Sequence, residues 1–248
     1  MALFKPVMIA AMINPLIVVA LTQGLSSAVT PAPRDGWHAQ RHVAINAVVQ
    51  ANTSNVDVVF IGDSITQGWE QAGQSVWEHY YSGRKAVNLG ISGDRTEHVL
   101  WRLDHGNLEG IEPKVAVIMI GTNNIGHGTH ATEEVLEGVQ AVVARVLEHA
   151  PSAQVLLLDI FPRGAQFNED RGKILQINQA LSRLQGHKQV HYLPIGHVFI
   201  EDDGTISKKV MPDALHLSPE GYRRWAEAME PTLSSLLQDD VIPSKDFQ

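Results

Sequence analysis

Three polar side chains in this sequence have the types and spacing that nucleophilic acyl transfer requires. Ser64 follows an apolar run and lies where a buried strand would end and a helix would begin. Asp213 and His216 are three residues apart, so one short turn can bring the carboxylate to the imidazole. In such a set the hydroxyl attacks, the histidine takes its proton and the acid orients the histidine. The sequence therefore predicts a catalytic triad of Ser64, Asp213 and His216.

Donors for the negative charge that develops in such a reaction are available in neighbouring loops. The candidates for an oxyanion hole are the backbone N–H of Ser64, the backbone N–H of Gly93 and the side-chain amide of Asn123. Glycine at position 93 lets a substrate approach the main chain closely, and an amide at position 123 donates without adding charge. Ile65, Thr122 and Leu215 each adjoin a catalytic or oxyanion candidate, and Trp69 lies about one helical turn past Ser64, so these four are the candidate walls of a substrate pocket.

Each candidate also has a structural interpretation. Taken alone, Ser64 could cap a helix and His216 could be a surface histidine. Asp63 is better explained as a hydrogen-bonding residue at the strand–helix junction than as the acid of the triad. Asn124 is interpreted as a turn residue that holds its loop. The catalytic interpretation depends on all the loops occurring together in one chain.

The elements that would position these loops alternate between strand and helix. Short apolar segments predict five strands, at 57–61, 86–89, 115–120, 155–160 and 190–193. Apolar residues at helical spacing predict helices at 37–49, 66–81, 95–105, 132–149, 168–184 and 219–237. Thr132 is the predicted N-cap of the helix at 132–149, and Ser218 is the predicted N-cap of the helix at 219–237. Such alternation is typical of a parallel, doubly wound sheet. The loops after the first three strands then emerge at the same edge of the sheet.

The composition indicates one globular domain and limits the chemistry. The chain has 248 residues, 19% charged residues and a formal net charge of −8, so nothing favours nucleic acid as a partner. The absence of cysteine excludes disulfides, thiolate metal sites and a cysteine nucleophile. The histidine pairs at 127 and 130 and at 187 and 191 lack carboxylate partners at ligand spacing. Neither a metal nor a cofactor is therefore expected.

The first 28 residues have the features of a secretory signal peptide. Lys5 precedes an almost wholly apolar stretch at 6–21, and the small residues Ser26 and Ala28 suit cleavage after Ala28. An uncleaved membrane anchor stays open as an alternative, although the apolar stretch is short for a span. No later segment is long enough to cross a membrane. We therefore expect a secreted or periplasmic protein.

The loop motifs together resemble the SGNH (GDSL) hydrolase family. The four blocks are Gly62-Asp63-Ser64, the segment 90–94, Gly121-Thr122-Asn123-Asn124 and Asp213-x-x-His216. Further segments, at 96–103, 111–114, 203–207 and 215–222, are similar to the catalytic subunits of the intracellular platelet-activating-factor acetylhydrolase.

This resemblance implies a flavodoxin-like, three-layer α/β/α sandwich whose five-stranded parallel sheet has the order 2-1-3-4-5. It also implies a Ser-Asp-His triad and no metal. It covers 56–237, which we expect to be an SGNH hydrolase domain. The signal peptide at 1–28 and a linker with an N-terminal helix at 29–55 would precede this domain, and a polar tail at 238–248 would follow it.

Two features separate this chain from the resembled subunits. Those subunits are cytosolic, so the apparent export signal argues against platelet-activating factor as the substrate. The second block reads Ser92-Gly93 where those subunits tend to have two glycines. Exported members of the family often act on acetylated carbohydrates or other short-chain esters. We therefore expect an esterase for acetyl or other short-chain acyl esters, with acetylated carbohydrate as the substrate.

Other functions stay open at this point. The same chemistry could serve a lysophospholipase, a thioesterase or an acetylhydrolase of the platelet-activating-factor type. A non-catalytic ligand-binding module on the same fold is an alternative of another class. A homodimer and a subunit of a hetero-oligomer are both open as assemblies.

Overall fold

The computed structural model describes residues 26–53, 55–187 and 189–245. Its centre is a parallel sheet of five strands: β1 (Val58–Gly62), β2 (Ala86–Asn88), β3 (Val115–Met119), β4 (Gln154–Leu158) and β5 (Val190–Leu193). The strands lie in the order β2-β1-β3-β4-β5, and every neighbouring pair is parallel. This confirms the predicted topology.

Helices cover both faces of the sheet. They are α1 (Trp37–Ala51), α2 (Ser64–Gln67), α3 (Gln74–Tyr80), α4 (Thr96–Arg102), α5 (Thr122–Gly126), α6 (Thr132–His149), α7 (Glu169–Leu181) and α8 (Pro219–Leu237). Successive side chains of a strand point to opposite faces, so β1 contributes Val59 and Ile61 to one apolar cluster and Val58 and Phe60 to the other. Helices α1, α4, α6 and α7 fill the first cluster, and α3 and α8 fill the second. The result is the expected three-layer α/β/α sandwich.

The long helix predicted at 66–81 is divided in the structure. Helix α2 ends at Gln67, a 3₁₀ turn follows at Gly68–Glu70, and α3 begins at Gln74. A Cβ at Gly68 would overlap the hydroxyl of Tyr222, which packs against this segment from α8. The division therefore makes room for α8 beside the end of β1.

Helix α6 has the predicted bounds, but its N-cap lies one residue before the predicted Thr132. Thr132 is the first helical residue, and Ala131 occupies the N-cap position. Glu134 Oε2 accepts a hydrogen bond from the backbone N–H of Ala131 at 2.7 Å, so a side chain inside the first turn satisfies this donor. Ser218 caps α8 as predicted, through its hydroxyl.

The predicted signal peptide lies largely outside the described residues, as do residues 246–248 of the predicted tail, and both stay predictions. Residues 26–28 are described and pack against the helical layer. Ala28 is fully buried, and its carbonyl oxygen accepts a hydrogen bond from the Thr96 hydroxyl at 2.8 Å. The Ser26 hydroxyl donates to Glu134 at 2.8 Å. Cleavage after Ala28 would remove these contacts.

No helix within the described ranges is long and apolar enough to cross a membrane.

A buried ion pair fastens α8 to the start of β2. The guanidinium of Arg84 donates to both carboxylate oxygens of Glu230, at 2.6 and 2.8 Å, and the two side chains are 5% and 3% exposed. Arg84 also donates to Asp239 at 2.9 Å. Burial alone would raise the pKa of Glu230. The hydrogen bonds that Glu230 accepts from Arg84 and from its other donors outweigh burial and lower that pKa below its ordinary value.

Replacing Arg84 by alanine is expected to lower the free energy of unfolding by about 3–5 kcal/mol, because the Glu230 carboxylate would be left buried without its partner. Urea denaturation at neutral pH measures this loss. Arg145→Ala is the control, since Arg145 pairs with Asp104 and Glu148 at positions that are 28% to 67% exposed, and each of these solvent-accessible pairs should contribute about 1 kcal/mol or less. Equal losses in the two variants would contradict the structural role of the buried pair.

Candidate active site

Ser64 is presented at the carboxyl end of β1, next to the point where the strand order reverses. It is the first residue of α2, and the Asp63 carboxylate caps this helix by accepting the backbone N–H of Ile65 at 3.0 Å. Gly62 has no room for a side chain, because a Cβ there would overlap Thr66 and the carbonyl oxygen of Met119. Ligands of open α/β sheets bind at such a switch point.

Asp213 and His216 occupy one tight turn that faces Ser64. Asp213 Oδ1 accepts the backbone N–H groups of Leu215 and His216, at 3.0 and 2.7 Å. Asp213 Oδ2 lies 2.6 Å from His216 Nδ1, and His216 Nε2 lies 2.9 Å from Ser64 Oγ. The fold thus joins residues 152 positions apart into one hydrogen-bonded chain of acid, imidazole and hydroxyl.

The pKa values of the two aspartates near Ser64 are shifted in opposite directions. Partial burial acts to raise the pKa of Asp213, but the hydrogen bonds from the His216 side chain and from the turn backbone outweigh burial and lower that pKa. Complete burial raises the pKa of Asp63 to about 7, and its Oδ2 has no partner among the described residues. Asp213 is therefore the ionised carboxylate beside the histidine, while Asp63 serves the helix cap.

The predicted oxyanion donors lie in the two loops beside Ser64. Gly93 has φ of +73°, a conformation that favours glycine, and its N–H has no acceptor among the described residues. The N–H of Ser64 is at the first helical position, where no partner exists within the helix. Asn123 is buried, and its Nδ2 donates to the carbonyl oxygen of Asp94 at 2.9 Å. This bond orients the amide and leaves its second hydrogen for another acceptor.

Asn124 anchors the loop that follows β3. Its Oδ1 accepts the backbone N–H of Thr96 at 3.1 Å, and its Nδ2 donates to the Thr96 hydroxyl at the same distance. These bonds attach the loop to the start of α4. They agree with the interpretation of Asn124 as a structural residue.

Arg34 binds the loop at 90–94, although the sequence predicts only a linker for the segment that contains this arginine. Its Nη1 donates to the carbonyl oxygen of Ser92 at 2.9 Å and to Asp94 Oδ1 at 3.0 Å. A Cβ at Gly93 would lie 3.3 Å from the same guanidinium. A single arginine among prolines gives no signal of this role, because the contact depends on where the segment lies against the sheet.

The hydrogen-bonded side chains of Ser64 and His216 border a cleft of about 580 Å³. Its lining residues are Trp37, His38, Ser64, Gln67, Gly68, Gln71, Ala72, Ser92, His216, Leu217 and Tyr222. Two of them, Trp37 and His38, come from the first turn of α1. Sequence reasoning missed both, since the helical pattern of 37–49 shows only which residues share a helix face.

The four predicted wall residues do not line this cleft. Ile65, Trp69 and Thr122 are each 1% exposed, and Leu215 is partly buried against the apolar cluster under α8. The prediction for Trp69 assumed that one unbroken helix follows Ser64 and includes Trp69. Because the helix ends at Gln67, the indole of Trp69 instead packs on the rings of Tyr222 and Trp225, with centroids 4.5 and 4.9 Å away.

Within the part of the chain that the structure describes, no group of three or more histidine or acidic side chains could hold a metal ion.

Comparisons with known proteins identify the family of this chain. The GDSL-like lipase/acylhydrolase family model matches residues 60–224. The human platelet-activating factor acetylhydrolase IB subunit alpha1 is 42% identical over 194 residues, which cover 78% of this chain and 82% of that protein. The rat subunit alpha2 is 36% identical over 206 residues, with 83% and 86% covered.

A solved structure extends the agreement to the fold. The acetylxylan esterase of Geobacillus stearothermophilus superimposes with a TM-score of 0.60 at 18% identity, covering 77% of this chain and 98% of that one. At this identity the likeness concerns the fold alone. The family match and the identity to the acetylhydrolase subunits carry the assignment of the chain. We conclude that this chain is an ester-hydrolysing enzyme that belongs to the GDSL-like lipase/acylhydrolase family.

Proposed function

We propose that the protein is a serine esterase that removes acetyl or other short-chain acyl groups through Ser64, His216 and Asp213. The observation that carries this proposal is the hydrogen-bonded chain from Asp213 through His216 to Ser64 at the edge of an open cleft. The spacing of these atoms suits transfer of the Ser64 proton to His216 Nε2.

The reaction follows from this arrangement. His216 accepts the hydroxyl proton as Ser64 Oγ attacks the ester carbonyl, and it then gives that proton to the oxygen of the leaving alcohol. A water molecule, deprotonated by His216, attacks the acyl-enzyme and releases the carboxylic acid. Asp213 holds the imidazole through Nδ1 and stabilises its positive charge.

The developing oxyanion would be stabilised by the N–H groups of Ser64 and Gly93 and by the amide of Asn123. The free N–H of Gly93 and the second amide hydrogen of Asn123 support this assignment. Such donors act strongly because they are oriented before the reaction begins.

Asn123→Ala is expected to lower kcat for p-nitrophenyl acetate by about 10²–10³-fold, since one oxyanion donor is lost. Steady-state kinetics measure the effect, and a thermal unfolding curve shows whether the variant stays folded. The unfolding curve is needed because the substitution also removes the hydrogen bond from Asn123 to the Asp94 carbonyl oxygen. Unchanged turnover in a folded variant would remove Asn123 from the mechanism.

A short acyl group is favoured by the packing below the nucleophile. Ile65 and Thr122 lie beside the predicted catalytic residues and are each only 1% exposed, which supports a shallow acyl site. The name of the human relative also specifies an acetylhydrolase. We propose acetylated carbohydrate as the substrate class, in keeping with the predicted export of the chain.

The second candidate is acetyl hydrolysis on a phospholipid of the platelet-activating-factor type. The identity to the human and rat subunits favours it. Export, a homodimeric state and the boundaries of the domain stay predictions.

A panel of esters tests both candidates at equal enzyme concentration: p-nitrophenyl acetate, p-nitrophenyl octanoate, acetylated xylan and an acetylated alkyl phospholipid. We expect acetyl to be preferred to octanoyl, and acetylated xylan to be preferred to the phospholipid. Preference for octanoate would instead indicate a lipase or thioesterase. Binding without hydrolysis of any ester would indicate a non-catalytic module.

A further inference from the structure

One wall of the cleft is built by the first turn of α1, which precedes the residues that match the family. Trp37 and His38 line the same cleft as Ser64 and His216. The rings of Trp37 and His38 meet edge-on, with centroids 5.0 Å apart. An indole is thus held beside the nucleophile by a helix that is itself packed on the sheet.

Trp37 differs in exposure from the other tryptophans of the chain. Its exposed fraction is 48%, whereas the other four tryptophans are buried or half-buried. The exposed indole provides a broad apolar surface with a negative π face, and it lies in a cleft rather than on a convex surface. Such a surface is suited to a flat ligand with polarised C–H groups.

Gln67 supplies a polar group on the same cleft. It is 8% exposed, and its Oε1 accepts the backbone N–H of Ser92 at 2.8 Å, which sets the orientation of the amide. No acceptor for its Nε2 is found among the described residues. This nitrogen is not among the buried polar atoms of the described residues that lack a partner, so it is open to the solvent of the cleft and free to donate to a ligand. Gln67 therefore offers a directed donor beside Ser64.

The cleft carries no fixed charge. None of the residues that line it is an aspartate, glutamate, lysine or arginine. The nearby guanidinium of Arg34 is already bound to Ser92 and Asp94. A phosphate group would therefore find no free cationic side chain on this lining, whereas a neutral ligand rich in hydroxyl groups would find donors and an aromatic face.

We infer that Trp37 and Gln67 form the subsite for the alcohol half of the ester, and that this half is a neutral sugar ring. The ring stacks on the Trp37 indole, and one of its hydroxyl oxygens accepts a hydrogen bond from Gln67 Nε2. This inference rests on the proposed esterase function and specifies its leaving group.

Kinetics on two acetyl esters test the subsite. Acetylated xylobiose fills it, whereas the alcohol half of ethyl acetate is too short to do so. Trp37→Ala should lower the ratio of kcat/KM for acetylated xylobiose to that for ethyl acetate by about tenfold, mainly through KM, and Trp37→Phe should restore part of the ratio. Val43→Ala, at a 66% exposed position of α1 away from the cleft, is the control and should keep the ratio.

A binding measurement separates this inference from the proposed function. Titration calorimetry of Ser64→Ala with xylobiose should show binding of the sugar, and the double variant Ser64→Ala/Trp37→Ala should bind it more weakly. Choline is titrated into the same two proteins as the competing ligand class. A ratio that Trp37→Ala leaves unchanged, or binding of choline without xylobiose, would overturn the sugar subsite while the esterase assignment stands. If the enzyme hydrolyses neither ester, the proposed function fails, and the titration alone decides whether the sugar site exists.

Discussion

Ser64→Ala is expected to lower kcat for p-nitrophenyl acetate by about 10⁴-fold or more, because the acyl-enzyme can no longer form. The remaining rate would come from water attacking an ester that the oxyanion donors still bind. The fold should be retained, since no described side chain other than His216 makes a hydrogen bond to the Ser64 hydroxyl. Loss of turnover with unchanged thermal unfolding would thus identify the hydroxyl itself.

Labelling by a fluorophosphonate probe gives an independent measure of the same prediction. The probe should attach to wild-type Ser64 and not to the alanine variant. Ser92→Ala is the matched control, since Ser92 lines the same cleft but its hydroxyl makes no described contact with His216. Labelling that persists in Ser64→Ala, or that disappears in Ser92→Ala, would place the nucleophile elsewhere.

Asp213→Asn is expected to lower kcat by about 10⁴-fold, because the amide would no longer hold His216 in the tautomer that accepts the serine proton. The Asn side chain keeps an oxygen for the N–H groups of Leu215 and His216, so the turn itself should persist. What disappears is the negative charge 2.6 Å from Nδ1. Steady-state kinetics over a range of pH measure the effect.

The pH profile follows from the direction of the Asp213 shift. The hydrogen bonds from His216 lower the pKa of Asp213, so its carboxylate is already ionised well below neutral pH and loses its charge only when the pH falls through that lowered value. The deficit of Asp213→Asn should accordingly persist throughout the neutral range. Asp203→Asn is the control, because Asp203 makes a similar turn with Thr205 but contacts no described histidine. Equal deficits in the two variants would contradict an orienting role for Asp213.

Much of the fold was predictable because strands buried on both faces need continuous apolar residues. All five predicted strands are present, with ends within about two residues of the prediction. Helix continuity was less predictable. The apolar spacing over 66–81 suits one helix, yet α2 ends at Gln67, Gly68 lies against Tyr222, and Trp69 is buried in the core.

The local parts of the site could be predicted from residue order alone. A serine after a buried strand lies at the edge of the sheet, and an acid three residues before a histidine can meet it within one turn. These relations involve neighbours in the chain, whose geometry depends on backbone conformation and residue spacing.

Contacts between distant segments depend on how whole helices pack on the sheet. The structure brings His216 to Ser64, as the loop motifs predict, but it also places Arg34 beside the loop of Gly93 and Trp37 on the wall of the cleft, which the sequence does not predict. It also removed Trp69 from that wall. Each contact joins segments whose relative position depends on how whole helices pack on the sheet, and hydrophobic periodicity within one segment carries no information about that packing.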